Sequence, residues 1–159
     1  MNKESASITN LHNQLSRMNY AEAMAALEQD GLDLRYIQEQ TPEVCLVAVS
    51  QNGEALQYVQ KQTPELCLAA VQKNGCALRY FQERTPAVCL TAVRQDGYAL
   101  RYVREQTPEI CLAAVQQDGL ALQYVREQTL EICLAAVRQN GYALKYVWDD
   151  LIDQVKKDM

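Results

Sequence analysis

The chain has 159 residues, about the size of one domain and enough to bury a core without metals or disulfides. Fifteen Lys and Arg against twenty Asp and Glu leave a formal charge of −5, which builds in no general attraction to phosphate backbones or anionic lipid, and a single histidine, His12, removes most general-base and metal-site schemes. No apolar run approaches the roughly 18 residues of a membrane span, and Met1 to Asn10 (MNKESASITN) lacks a signal peptide's hydrophobic core, so a cytoplasmic protein is expected.

In chain order, Ile8, Leu11, Leu15 and Met18 are spaced as an amphipathic helix, opened by Ser5 or Ser7, that would cap one end over residues 1–18. A repeat follows. Glycines at 31, 53, 75, 97, 119 and 141 and cysteines at 45, 67, 89, 111 and 133 recur every 22 residues. The unit reads T-P-E-x-C-L-x-A-V-x-Q-(N/D)-G-x-A-L-x-Y-V-x-x-Q from Thr41, Thr63, Thr85, Thr107 and Thr129, with a divergent copy from Asn19. The units are therefore 19–40, 41–62, 63–84, 85–106, 107–128 and 129–150, and residues 151–159 close the chain as a second cap.

Within one unit Cys45, Leu46, Ala48, Val49 and then Ala55, Leu56, Tyr58, Val59 fall at i, i+1, i+3, i+4, which is helical spacing. Thr41, Pro42 and Glu43 form a helix start: a hydroxyl N-cap, a proline where no N–H is needed, and a carboxylate facing the helix dipole. Asn52-Gly53, like Asp96-Gly97, is expected to end that helix with glycine in the left-handed cap conformation, and a second helix of about eight residues should run on to Gln60. Such short helices are marginal alone and stable only when stacked. Gly97→Val is accordingly expected to be severe.

Two rivals share this period. A leucine-rich repeat needs L-x-x-L-x-L-x-x-N to form its strand, which these units lack. A single 22-residue lipid-binding helix would turn the second apolar stripe about 80° from the first, and the central Asn-Gly or Asp-Gly breaks it. The fold expected is all-α, a right-handed α-solenoid of six two-helix repeats with capping helices at both ends. Trp148, Leu151, Ile152 and Val155 extend the last helix as the C-terminal cap, a surface suited either to closing one chain or to pairing two.

At AVRQNGYALKY (Ala136 to Tyr146) and AVQQDGLALQY (Ala114 to Tyr124), the chain resembles a bacterial, protist and giant-virus family of tandem short repeats catalogued as a domain of unknown function. The resemblance covers residues 41 to 150 well and 19 to 40 loosely. It implies helical repeats and interaction proteins, and it carries over no catalytic residue.

Cysteines stacked one per unit would stand roughly 9 to 10 Å apart, too far for a disulfide or a shared zinc, so they read as small core residues. Cys76, after its glycine, is outside that column. Tyr36, Tyr58, Tyr80, Tyr102, Tyr124 and Tyr146 read as packing between units rather than as a platform for bases. Arg35, Arg79, Arg101 and Lys145 are expected to pair four residues on with Glu39, Glu83, Glu105 and Asp149. Variation between units concentrates at Glu28, Ser50, Gln72, Arg94, Gln116, Arg138 and at Leu32, Glu54, Cys76, Tyr98, Leu120, Tyr142, beside the glycine turn.

These patterns point to a non-enzymatic protein-interaction module, with the partner along the glycine-turn edge and Arg94, Tyr98, Arg104, Arg126, Arg138 and Tyr142 as its contact residues. No cofactor, metal or membrane is expected. The alternative is nucleic-acid binding through an arginine-bearing edge.

Overall fold

A threonine hydroxyl starts each of the five regular units: Thr41, Thr63, Thr85, Thr107 and Thr129 accept a hydrogen bond from the backbone N–H three residues on, and proline fills the first helical position in all but the last. In the divergent unit Asn19 does the same work, exchanging bonds of 3.0 and 3.1 Å with Glu22 in a reciprocal capping box. The computed structural model describes residues 19–159, so the helix expected over 1–18 lies outside the described residues.

The elements alternate along the chain. The α-helices are α1 (Tyr20–Gln29), α2 (Pro42–Gln51), α3 (Pro64–Lys73), α4 (Pro86–Gln95), α5 (Pro108–Gln117), α6 (Leu130–Gln139) and α7 (Asp149–Asp158). Between them lie 3₁₀ helices η1 (Gly31–Tyr36), η2 (Gly53–Tyr58), η3 (Gly75–Tyr80), η4 (Gly97–Tyr102), η5 (Gly119–Tyr124) and η6 (Gly141–Tyr146). Each α-helix packs on the next α-helix, each 3₁₀ helix on the next 3₁₀ helix, and each unit's two elements on each other. The result is a two-layer α-solenoid.

The second element is thus a six-residue 3₁₀ helix and not the longer α-helix expected. Its buried face is Gly53, Leu56 and Val59, a period of three that matches three residues per turn, with Ala55 buried beside them. Between the layers lie the cysteine, alanine and valine of α2 to α6, with Ala23 and Leu27 in α1, and the leucines of the first five 3₁₀ helices; Leu34, Leu56, Leu78, Leu100 and Leu122 are fully buried. Each such leucine contributes about 1.5–3 kcal/mol, more than a ten-residue helix gains by itself in water.

The turn between layers also differs from expectation. No glycine among the described residues has a positive φ. The preceding Asn or Asp turns the chain instead, in extended conformation (Asn52 at φ −142°, ψ 111°), its side chain accepting from the N–H two residues on as the cap of the 3₁₀ helix. Glycine is required by the neighbouring unit: a Cβ on Gly97 would stand 2.6 Å from the carbonyl oxygen of Ala114, and Gly31, Gly53, Gly75 and Gly119 face Ala48, Ala70, Ala92 and Ala136 in the same way. A close backbone approach, not a left-handed φ, excludes every side chain there.

Two glutamine ladders tie the units together. Gln40 donates from Nε2 to the carbonyl of Tyr58 and accepts at Oε1 from the N–H of Gln60, both at 3.0 Å. Gln106 repeats this with Tyr124 at 2.9 Å and Arg126 at 3.0 Å, and Gln128 with Tyr146 at 2.8 Å and Trp148 at 3.0 Å. At the other edge Gln95, Gln117 and Gln139 accept from the N–H of Gly75, Gly97 and Gly119 in the unit before, at 2.9, 2.6 and 2.6 Å. The ladders are interrupted around the third unit. Lys73 stands where the helix-end glutamine would accept, Arg84 bonds only the carbonyls of Leu78 and Arg79 in its own unit, and Gln62 of the second unit, though bonded to Tyr80, keeps a buried Oε1 without a partner.

At the C-terminal end Trp148 does not extend the last helix. η6 stops at Tyr146, Trp148 is the N-cap residue of a separate helix, α7, and Val155 is fully buried at the position 22 residues beyond Cys133. α7 is therefore a further member of the α layer, with no 3₁₀ helix after it among the described residues.

Candidate interaction surface

The outer row of the 3₁₀ layer is built of cations lying on tyrosine rings. Arg35 lies 4.6 Å from the centroid of Tyr36, Arg79 4.5 Å from Tyr80, and Lys145 4.7 Å from Tyr146. Arg101 reaches two units, 4.8 Å from Tyr102 and 6.0 Å from Tyr124. The tyrosines are half-buried between units, as expected, and the exposed cations cover their faces. The expected pairing with Glu39, Glu83, Glu105 and Asp149 is not formed, because the 3₁₀ helix ends one residue after each cation and the chain turns extended, so the residue four on no longer shares a face. The ion pair present among the described residues is Arg79 with Glu54 of the preceding unit, at 3.0 Å.

The six contact residues expected from sequence fall on three patches. Arg94 lies on the outside of the α layer in an open groove of about 620 Å³ lined also by Glu109, Leu112, Gln116 and Glu131, and Arg138 donates to the carbonyl of Asp158 on α7 at 3.4 Å. Tyr98 and Tyr142 sit just after the glycine turn. Tyr98 is half-buried, packed edge-to-face on Tyr124 at 5.7 Å, and its phenol is pushed up by desolvation and then by Asp118 and Tyr124, whereas Tyr142 is 79% exposed. Arg104 and Arg126 lie at the far end of the 3₁₀ helices, on the edge opposite the glycine turn. They line a cleft of about 240 Å³ with Pro108, Cys111, Glu127 and Ile132, and the Arg126 guanidinium donates to the carbonyls of Arg104 (2.6 Å) and Val103 (3.1 Å). Arg126 thus acts as a strap between units as well as a surface charge.

The cysteine column is buried as expected. Burial pushes the thiol of Cys67 up to about 12 and that of Cys133 up to about 11. Cys76 is half-buried, its thiol donating to Asp96 Oδ2 at 3.0 Å, and burial with that bond raises it to about 11. Thiols held this far above neutrality carry little thiolate. Among the described residues no group of three His, Cys, Asp or Glu is placed to hold a metal ion, and no helix is long and apolar enough to cross a membrane.

The model of a family described as Domain of unknown function (DUF4116) matches four overlapping segments, residues 41–84, 63–107, 88–129 and 107–152. The chain belongs to that family. The overlaps step along the repeat, so the family's model spans about two of the units described above. No curated protein and no solved structure matched the chain.

The glutamine clamps and the rings beneath the cations are features of the fold beyond those expected from the sequence. The clamps had a signal: glutamine recurs at Gln40, Gln62, Gln106 and Gln128 beside the buried cysteine, a place where a polar residue needs a fixed set of partners.

Proposed function

We propose that this chain is a non-enzymatic protein-interaction module whose partner lies along the glycine-turn edge and the adjoining 3₁₀ layer. The observation that carries the reading is the division of labour within each unit. Residues that hold the stack barely change from unit to unit, while the residue after the glycine differs between successive units and includes Tyr98 and the 79% exposed Tyr142. Arg94 adjoins that edge and Arg138 is engaged with the carbonyl of Asp158, whereas Arg104 and Arg126 lie on the opposite edge and are not part of this surface.

Affinity capture from a lysate of the source cell, at low and high salt and after nuclease, tests the reading. A discrete protein retained at high salt by the native chain and lost with the paired variant Tyr98→Ala, Tyr142→Ala at unchanged fold supports it. Retention by that variant sinks the assignment of the edge. Nucleic-acid binding is the second reading, favoured by Arg101 and Lys145, which form no ion pair among the described residues; capture abolished by nuclease would put it first.

A further inference from the structure

The charge of the 3₁₀ layer is not spread evenly. The first two 3₁₀ helices carry Asp33 and Glu54 with a single cation, Arg35, whereas the four from Gly75 to Tyr146 carry Arg79, Arg101 and Lys145 and no carboxylate. The carboxylates at their entries, Asp96 and Asp118, accept from the backbone N–H groups of Tyr98 and Leu120 as caps. A chain of net charge −5 thus concentrates a cationic row on one layer of its C-terminal two-thirds.

Geometry sharpens what that row fits. Because Arg101 lies over both Tyr102 and Tyr124, those rings are no more than about 11 Å apart, a bound that agrees with the roughly 8 to 10 Å between packed helices. The cations stand on the rings, so their positions are held and the ring faces are covered. Covered faces leave nothing for a base to stack on, while the outward N–H groups remain available to single carboxylates. An extended polypeptide advances about 3.1–3.4 Å per residue, so every third side chain advances about 10 Å.

We infer that the cationic row of η3, η4 and η6 binds an extended acidic peptide segment, one carboxylate to each cation-bearing unit, with acidic residues three apart from η3 to η4 and six apart from η4 to η6, where η5 presents Gln123. The inference rests on the interaction reading above and names the partner's chemistry. Glu54 is its internal competitor, holding Arg79 at 3.0 Å.

The test is fluorescence anisotropy with the full chain and three probes: a labelled peptide of five Glu-Gly-Gly repeats, its isomer with all glutamates in one block, and a single-stranded oligodeoxythymidine. The spaced peptide should bind roughly tenfold more tightly than the block isomer, because only it engages several units at once. Arg101→Glu with Lys145→Glu should weaken it by more than roughly tenfold at unchanged circular dichroism, and Glu54→Gln, which frees Arg79, should tighten it. Equal binding of the two peptides, or tighter binding of the oligonucleotide, overturns the inference. So does failure of all the peptides while a protein is still captured from lysate at high salt, an outcome that leaves the interaction reading standing; absence of both signals removes both.

Discussion

Gly119 and Gly141 occupy the same place in successive units, with Asp118 or Asn140 before them and Ala-Leu after, yet they meet different surroundings. A Cβ on Gly119 would collide with the carbonyl of Ala136, whereas one on Gly141 would meet nothing within 4 Å. Both have negative φ, so backbone conformation does not separate them. What separates them is the next unit: α6 lies against Gly119, while α7 does not come against Gly141. The glycine of each unit is therefore a socket for its successor, and a turn residue only incidentally.

Substitution at the internal glycine should cost the most. Gly119→Ala forces a side chain into a backbone carbonyl that cannot move without shifting α6, and should cost about 1–3 kcal/mol, with Gly97→Val worse; at roughly 2–4 °C per kcal/mol for a chain of this size, calorimetry resolves it. Gly141→Ala should leave stability unchanged or raise it by about 0.4–1 kcal/mol. Equal losses at the two sites would mean that the turn, and not the neighbour, selects glycine.

The glutamine ladders sharpen the same point one step down in size. Gln106→Ala leaves the N–H of Arg126 and the carbonyl of Tyr124 without their partner and should cost about 1–3 kcal/mol. Arg84→Gln, restoring the acceptor that the third unit lacks, should gain about 0.5–1.5 kcal/mol. Amide exchange in the native chain should accordingly be faster across the junctions of residues 41–106 than across those of 107–150, and Arg84→Gln should narrow the difference.

The thiols give a pH test of the stack as a whole. Cys67 and Cys133 are raised in the folded chain from an unfolded value near 9 to about 12 and about 11, so their contribution is fully present below pH 9 and is lost as pH rises through the folded values. The melting temperature should fall between about pH 9 and 12, and less steeply in Cys67→Ala measured against its own neutral-pH value. The smallest effect belongs to the surface. Tyr98→Ala should cost about 0.5–1.5 kcal/mol through the lost contact with Tyr124, and Tyr142→Ala should fall within about 0.5 kcal/mol of the native chain.

Local chemistry was readable from the sequence, and so was the period. Thr-Pro-Glu starts a helix through groups within three residues of one another, and a 22-residue recurrence of cysteine, alanine and leucine leaves stacked helices as the way to bury them. The 3₁₀ form of the second element was half-written, in the period of three from Gly53 through Leu56 to Val59. Pairing of Arg101 or Lys145 with an acid four residues on was read from sequence distance, and it failed because the helix assumed to carry it stops one residue later.

The repeat, its helix starts, its buried column and its all-α character each follow from side chains close together along one chain. Docking of one unit on the next is what makes the turn residue glycine, gives the glutamines their partners and brings Arg101 over Tyr124 as well as its neighbour Tyr102. Those contacts span 17 to 23 positions along the chain or depend on how one unit is set against the next. No local propensity encodes them; they exist only once a second unit has docked on the first.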